Sequence, residues 1–252
     1  MSGLSYFDCN VMIGRPNSLE EYSIYRPQEL LAVMDRCGIE QAMAFHVGAV
    51  AFHPSSGNER IVNFCRENSR FHPVWVVLPG HTGEFPRGQA LADGMKEAGV
   101  KMVKAFPSPG KHHFSLARWV SGELLDVLAG CHIPLALDMG ELPWEQIYAL
   151  GRENPKLPLL LTNLNYRADR WLYPLMEKCP NIYLETSGLK GFLGLEAYCK
   201  NFGAQRLLFG SGLPLYSAGA AAAVVEMSDI SQREKEQIAG ENLRELLCKA
   251  FR

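Results

Sequence analysis

The chain has 252 residues, a formal net charge of -2, 47% hydrophobic residues and 21% charged residues. That balance excludes a disordered or fibrous chain, and the small charge excludes broad electrostatic attraction to nucleic acid or to an anionic membrane. No apolar run approaches the roughly 18 residues of a membrane span, and the opening Met1–Asp8 segment lacks the basic-then-apolar pattern of a signal peptide.

Strand and helix patterns alternate from end to end, with no internal repeat, low-complexity tract or linker. The first strand is Tyr6 to Ile13, followed by a polar loop, Gly14 to Arg26. Pro27 to Cys37 reads as an amphipathic helix with Pro at its start and Gly38 at its end. The second strand is Gln41 to Val47; a long loop, Gly48 to Gly57, carries His53, and Asn58 is expected to cap a helix to about Asn68. The third strand, Val74 to Leu78, leads through Pro79-Gly80-His81 to a helix over Gln89 to Ala98. The fourth, Val100 to Phe106, is followed by the loop Pro107 to Ser115 and a helix over Ser121 to Ala129.

The fifth strand is Pro134 to Met139, and Pro143 opens the next helix, to about Arg152. The sixth is Leu159 to Leu164, with Asp169 expected to cap a helix to Lys178. The seventh is Ile182 to Thr186, before a helix over Leu195 to Phe202. The eighth is Leu207 to Gly210; helices follow from Ala218 and from Ser231, where Ser231-Gln-Arg-Glu234 fits a capping box. Such alternation means a parallel sheet with helical crossovers. Eight units in this length predict one α/β domain over residues 1–252, a (β/α)8 TIM barrel of roughly 250 residues.

Each apolar run ends in one polar side chain: Asn10, His46, Lys104, Asp138, Asn163, Glu185 and Ser211. In a parallel barrel those ends converge at one mouth, where active sites sit. The loops Gly14–Arg26 and Pro107–Ser115 follow strands and are expected to cover that mouth. Phe45, Phe106, Tyr166 and Tyr216 lie near the same end and can line a pocket for a small ring. The seven cysteines are dispersed without C-x-x-C spacing, which points to reduced thiols and a cytoplasmic protein. Cys9 is expected to pack on the outer face of its strand, opposite Asn10.

Several segments resemble the amidohydrolase-related family, whose members are metal-dependent hydrolases and decarboxylases of small acids built on a (β/α)8 barrel. Asp8-Cys-Asn-Val-Met-Ile-Gly14 resembles its opening D-x-H-x-H strand, and Gly99-Val-Lys-Met-Val-Lys-Ala-Phe-Pro107 its G-x-x-G-x-K-x-H-P segment. Ile133-Pro-Leu-Ala-Leu-Asp138 stands at its P-V-x-x-H strand and Leu160-Leu-Thr-Asn163 at its strand ending in His. Asn181-Ile-Tyr-Leu-Glu-Thr-Ser-Gly188 resembles N-V-Y-x-D-T-S-G, and Phe209-Gly-Ser-Gly-Leu-Pro214 resembles F-G-S-D-x-P. The closing Ile238-Ala-Gly-Glu-Asn-Leu-Arg-Glu-Leu-Leu247 is similar to I-x-x-x-N-A-x-x-L-L.

The resemblance places the family's five metal ligands at Asn10, Met12, Asp138, Asn163 and Gly212. Only Asp138 is a good ligand for a hard or borderline divalent cation, so no metal and no other cofactor is expected. The expected function is a hydrolase or lyase acting without metal on a small carboxylic acid or lactone. Asp138 would be the general base or proton shuttle, Lys104 would bind a carboxylate or an oxyanion, and His46 would assist. Asn10, Asn163, Glu185, Ser211, His81 and His113 are the candidate substrate contacts, with the backbone N–H groups of Gly210 to Gly212 offered to an anion. The alternative is an inactive barrel that binds a small metabolite or a protein partner. A small-molecule ligand is expected in either case, nucleic acid and membrane are not, and self-association is left open.

Overall fold

The computed structural model describes residues 3–15, 24–165 and 167–252. In chain order the elements are β1 (Tyr6–Ile13), α1 (Pro27–Arg36), β2 (Ile39–His46), α2 (Gly48–Ala51), α3 (Pro54–Glu67), β3 (Phe71–Pro73) and β4 (Trp75–Val76). They continue with α4 (Gly88–Glu97), β5 (Val103–Ala105), α5 (Arg118–Gly130), β6 (Leu135–Asp138), α6 (Trp144–Glu153), β7 (Leu159–Thr162) and α7 (Asp169–Lys178). The chain closes with β8 (Ile182–Glu185), α8 (Gly194–Phe202), β9 (Leu207–Leu208), α9 (Ala218–Glu226), α10 (Gln232–Glu236) and α11 (Asn242–Leu247).

All neighbouring strands pair in parallel, in the orders β1-β2-β3 and β4 through β9. β3 and β4 are two halves of one barrel strand. Pro73 has no N–H to give, and the ladder resumes at Val74, whose N–H donates to Ala44 O at 2.8 Å. The ring closes between β9 and β1: Cys9 N–H reaches Phe209 O at 2.9 Å, and Met12 N–H reaches Leu213 O at 2.8 Å. The protein is a (β/α)8 TIM barrel.

Period two sorts the side chains into two layers. Leu135, Leu137, Leu159, Leu161, Ile182 and Leu184 face outward into the large core under the helices. Phe7, Met43, Phe45, Val76, Ala136, Leu160 and Leu208 face inward, where Leu243, Leu246 and Leu247 of α11 join them and plug the N-terminal end of the barrel. Between Asp8 and Val11 the register of β1 shifts, and Cys9 joins the inner cluster beside Phe7 and Met12. The expectation that Cys9 faces outward is therefore corrected: a bulge breaks the alternation on which it rested.

Three helix starts also differ from the sequence reading. α3 begins at Pro54 with His53 as its cap, and Asn58 lies inside it, buried. Its side chain donates to Val76 O at 2.9 Å and accepts from Val76 N–H at 2.8 Å, so it ties α3 to β4 and does not cap a helix. α5 begins at Arg118, with the hydroxyl of Ser121 turned back to Ser115 O. Asp169 is the first residue of α7, not its cap, and accepts from the Tyr198 hydroxyl at 3.0 Å. The capping box at Ser231 is present, and the helix it opens passes through a π-helical stretch, Gln237–Glu241, before α11.

Candidate active site

Alternation along β5 points Val103 and Ala105 outward and Lys104 into the barrel, where it is 2% exposed. In register Lys104 lies opposite Ala136, so Asp138 at the end of β6 stands two residues nearer the mouth. The lysine stem spans that rise, and Nζ lies 2.7 Å from Asp138 Oδ1. Nζ also donates to Asn10 Oδ1 at 2.8 Å and lies 4.8 Å from the ring centre of Phe45 and 5.5 Å from that of Phe106. A buried ammonium is thus met by a carboxylate, an amide oxygen and two π faces.

Asp138 Oδ1 takes two further hydrogen bonds, from the Thr162 hydroxyl at 2.6 Å and from Asn163 Nδ2 at 2.8 Å. Burial alone would raise the Asp138 carboxyl, but the adjacent Lys104 charge and the hydrogen bonds outweigh it and hold the group below its ordinary value. Asp138 is an anion at neutral pH. Its Oδ2 has no hydrogen-bond donor among the described residues.

Asn163 is the hub. It sits just beyond β7 in the left-handed region at φ 52°, a conformation that asparagine tolerates better than most residues. From there its side chain bridges Asp138 and Asn10, accepting from Asn10 Nδ2 at 3.2 Å. Its backbone N–H reaches down to Glu185 Oε2 at 2.8 Å. Gly212 stands close by: a Cβ there would lie 2.6 Å from Tyr216 Cδ2 and 3.2 Å from Asn163 Oδ1. The space a side chain would occupy at that position is already filled.

Below this layer lie two carboxyls with no access to solvent. Glu185 accepts from the N–H groups of Asn163 and Ser187, both at 2.8 Å, and burial raises its pKa. Asp8 accepts from Asn10 N–H at 2.9 Å and Ser211 N–H at 3.0 Å through Oδ1, while Oδ2 is buried without a hydrogen-bond partner. Burial pushes Asp8 up to about 7. An orphaned oxygen suits a protonated carboxyl better than a carboxylate.

Asp138 and Asn163 open onto a cavity of about 540 Å3, lined also by Met139, Glu141, Leu164, Ser187, Leu215 and Tyr216, with Lys111 and Lys190 on its wall. Lys111 comes from the Pro107–Ser115 loop, so that loop does reach the mouth. It is paired with the buried Glu141 and lies 4.5 Å from the centre of the Phe106 ring; Glu141 also accepts from Ser108 N–H at 3.1 Å. Loop and β6 end are tied together by one carboxylate.

The remaining expected residues lie elsewhere. His46 Nδ1 accepts from Gly48 N–H at 2.9 Å and braces the turn into α2; burial lowers its pKa, and it does not line the cavity. His81 and His113 are exposed, and neither lines the cavity. Ser211 N–H is bound to Asp8 and Gly212 N–H to Asn10 O, so neither is available to a ligand anion. Phe45 and Phe106 flank Lys104, whereas Tyr216 lines the cavity. Tyr166 and residues 16–23 of the Gly14–Arg26 loop lie outside the described residues. Sequence reasoning missed Asp8, Thr162, Lys111 and Glu141. Asp8 stood in the quoted opening motif, and its place two residues before Asn10 was the available signal.

Residues 22–247 match the family described as Amidohydrolase. No curated protein matches the sequence. Among solved structures, an uncharacterised TIM-barrel protein, Bb4693 from Bordetella bronchiseptica, is 17% identical with a TM-score of 0.77 over 99% of this chain and 100% of its own. 2,6-Dihydroxybenzoate decarboxylase from Rhizobium is 16% identical with a TM-score of 0.71 over 97% of this chain and 99% of its own. 5-Carboxyvanillate decarboxylase from Novosphingobium aromaticivorans, complexed with manganese and a nitrobenzoic acid, is 12% identical with a TM-score of 0.77 over 98% of this chain and 96% of its own.

A divalent metal of the kind such relatives hold does not fit the residues at this mouth. Asn10 Oδ1 and Asp138 Oδ1 already converge on a fixed ammonium, and a cation of twice its charge would have to expel it. The donors left are one carboxylate, two amides and the Met12 thioether, a poor set for Zn2+ or Mn2+. No group of three or more His, Cys, Asp or Glu among the described residues is arranged to hold a metal ion.

Proposed function

Because the chain belongs to the amidohydrolase family, with Lys104 at the barrel mouth paired to Asp138, we propose that it is a metal-independent hydrolase or lyase of a small carboxylic acid or lactone. The observation that carries this reading is the Lys104–Asp138 pair. A fixed cation holds a carboxylate ionised and oriented, with one of its oxygens unpartnered at a cavity of about 540 Å3. That volume falls in the usual range for small-molecule sites. The structurally similar decarboxylases act on benzoic acids, which agrees with an acid of similar size.

In this reading Lys104 acts through Asp138 and does not touch substrate, because it is 2% exposed and its contacts are taken. It is a positioning residue. Asp138 Oδ2 accepts the proton of an attacking water, or takes a proton from a cavity water and passes it to the carbon that loses CO2, the hydroxide left behind joining the CO2 as bicarbonate. Its lowered pKa makes it a weak base, so the step relies on placement more than on basicity. Lys111 and Lys190 attract the substrate carboxylate, and Asn163 holds Asp138 in place. Cys9 is no nucleophile in this reading, since it is buried and burial raises its thiol well above the ordinary value.

The test is turnover of a panel of aromatic and aliphatic carboxylic acids and lactones in the presence of a chelator. Turnover that survives chelation and falls about 100-fold or more in D138N supports the reading. Turnover that appears only with added Mn2+ or Zn2+ overturns it. Saturable binding of panel acids without any turnover would favour the inactive binder, a reading that the low basicity of Asp138 keeps in play.

A further inference from the structure

At the opposite end of the barrel from Asp138 lies a second recess, of about 230 Å3, between the starts of β1, β2 and β3 and helix α11. Its charged lining is basic only: Arg244 and Lys101, with His72 beside them, and no carboxylate among the lining residues. Arg244 is in no ion pair among the described residues, unlike Arg70, Arg118 and Arg233, each of which has a carboxylate partner. Its guanidinium lies 5.5 Å from the centre of the Phe7 ring, and the His72 ring lies 5.5 Å from that same centre. Both groups pack against the Phe7 ring. A Cβ at Gly240 would collide with Arg244 Nη1, so the glycine leaves the guanidinium the room it takes. His72 Nε2 is buried there without a hydrogen-bond partner, and burial, with the Lys101 charge next, lowers the imidazole pKa.

Two exposed cations, Arg244 and Lys101, stand over an apolar floor with no acid among the lining residues to neutralise them, an arrangement suited to an anion. Arginine's planar fork matches carboxylate and phosphate oxygens in pairs. Phe7, Met43 and Leu247 line the apolar floor of the recess, with Phe7 and Leu247 at its surface only by their edges. We propose that this recess binds a small organic oxyanion, a carboxylate or a phosphate monoester, with its charged group on Arg244 and Lys101 and its apolar body against Phe7. The site is separate from the mouth, with the inner core between them, so it does not depend on what the mouth does.

The test is calorimetric titration of the whole protein with benzoate and with phenyl phosphate, which distinguishes the two oxyanions. Saturable binding of at least one probe is expected, weakened about tenfold or more in R244Q and also weakened in K101Q. Both side chains are exposed, so neither variant should unfold the barrel. The mouth variant K111Q should retain this binding. As a second reading, the bound probe should slow alkylation of Cys248, which lines the recess and is the exposed thiol, and should do so in K111Q as well. Absence of saturable binding by either probe at about 10 mM overturns the proposal. So does binding that K111Q abolishes and R244Q leaves intact.

Discussion

Lys104 and Asp138 stand on adjacent strands at different heights, and the lysine stem closes that difference to 2.7 Å. Removing one partner leaves the other buried and uncompensated, at a cost of roughly 3–5 kcal/mol. K104M and D138L should each lose stability of that order in urea denaturation. The double variant should lose clearly less than the sum of the two. Strict additivity would mean that the two charges are not coupled.

The pair also fixes the acid limb of stability. The Asp138 carboxyl is held below its ordinary 3.8 in the folded protein, so its contribution is present above that value and is lost as pH falls below it. Below about pH 4, wild type should lose stability faster than D138N, measured as the midpoint of thermal unfolding. Parallel curves for the two proteins would contradict the assigned direction.

Asp8 has the opposite sign. Its pKa rises from 3.8 to about 7 on folding, so its contribution is full below 3.8 and disappears as pH climbs through 7. D8N, which needs no ionisation, should flatten the fall in stability across that interval, by an amount of order 4 kcal/mol. Chemical denaturation at a series of pH values reads this directly. An unchanged slope in D8N would place the titration on another group, of which Glu185 is the first to try.

Asn58 is predicted to matter through Val76. N58A leaves the N–H and C=O of Val76 buried without partners, each costing about 1–3 kcal/mol. The loss should appear as a lower urea midpoint with an unchanged slope, because the barrel remains cooperative.

Elemental analysis after mild purification should find no stoichiometric Zn, Mn or Fe, since Lys104 holds the oxygens of Asn10 and Asp138. A chelator should leave the melting temperature unmoved. Near one equivalent of metal, with a melting temperature that falls on chelation, would show that the ammonium moves aside.

The barrel was legible because its outer layer obeys simple rules. Leu135, Leu137, Leu159 and Leu161 alternate with inward residues, and Gly38 and Gly99, both at positive φ, mark helix ends. Asp138, Lys104, Asn10 and Asn163 could be placed at the mouth by the same period. What failed was local. A bulge in β1 turned Cys9 inward, and a period cannot announce a bulge. Asn58 carries the residue type of a cap, but its partner lies 18 residues away in sequence, and no local pattern encodes that. Lys111 and Glu141 find each other across two loops, a contact set by loop geometry and not by periodicity. His46 ends its strand as expected, yet the Gly48 amide turns it to bracing a loop.

The plug of α11 has a consequence for how the chain is made. The inner residues Phe7, Cys9 and Met43 pack from below against Leu243, Leu246 and Leu247. The seam that shields β1 is made with residues 209–213. The first strand therefore leaves the ribosome about 200 residues ahead of its last neighbour, on the order of 10–40 s at about 5–20 residues per second. Through that interval its backbone edge is a template for any other nascent strand. Slower translation lengthens that wait and should lower the soluble yield in the cell.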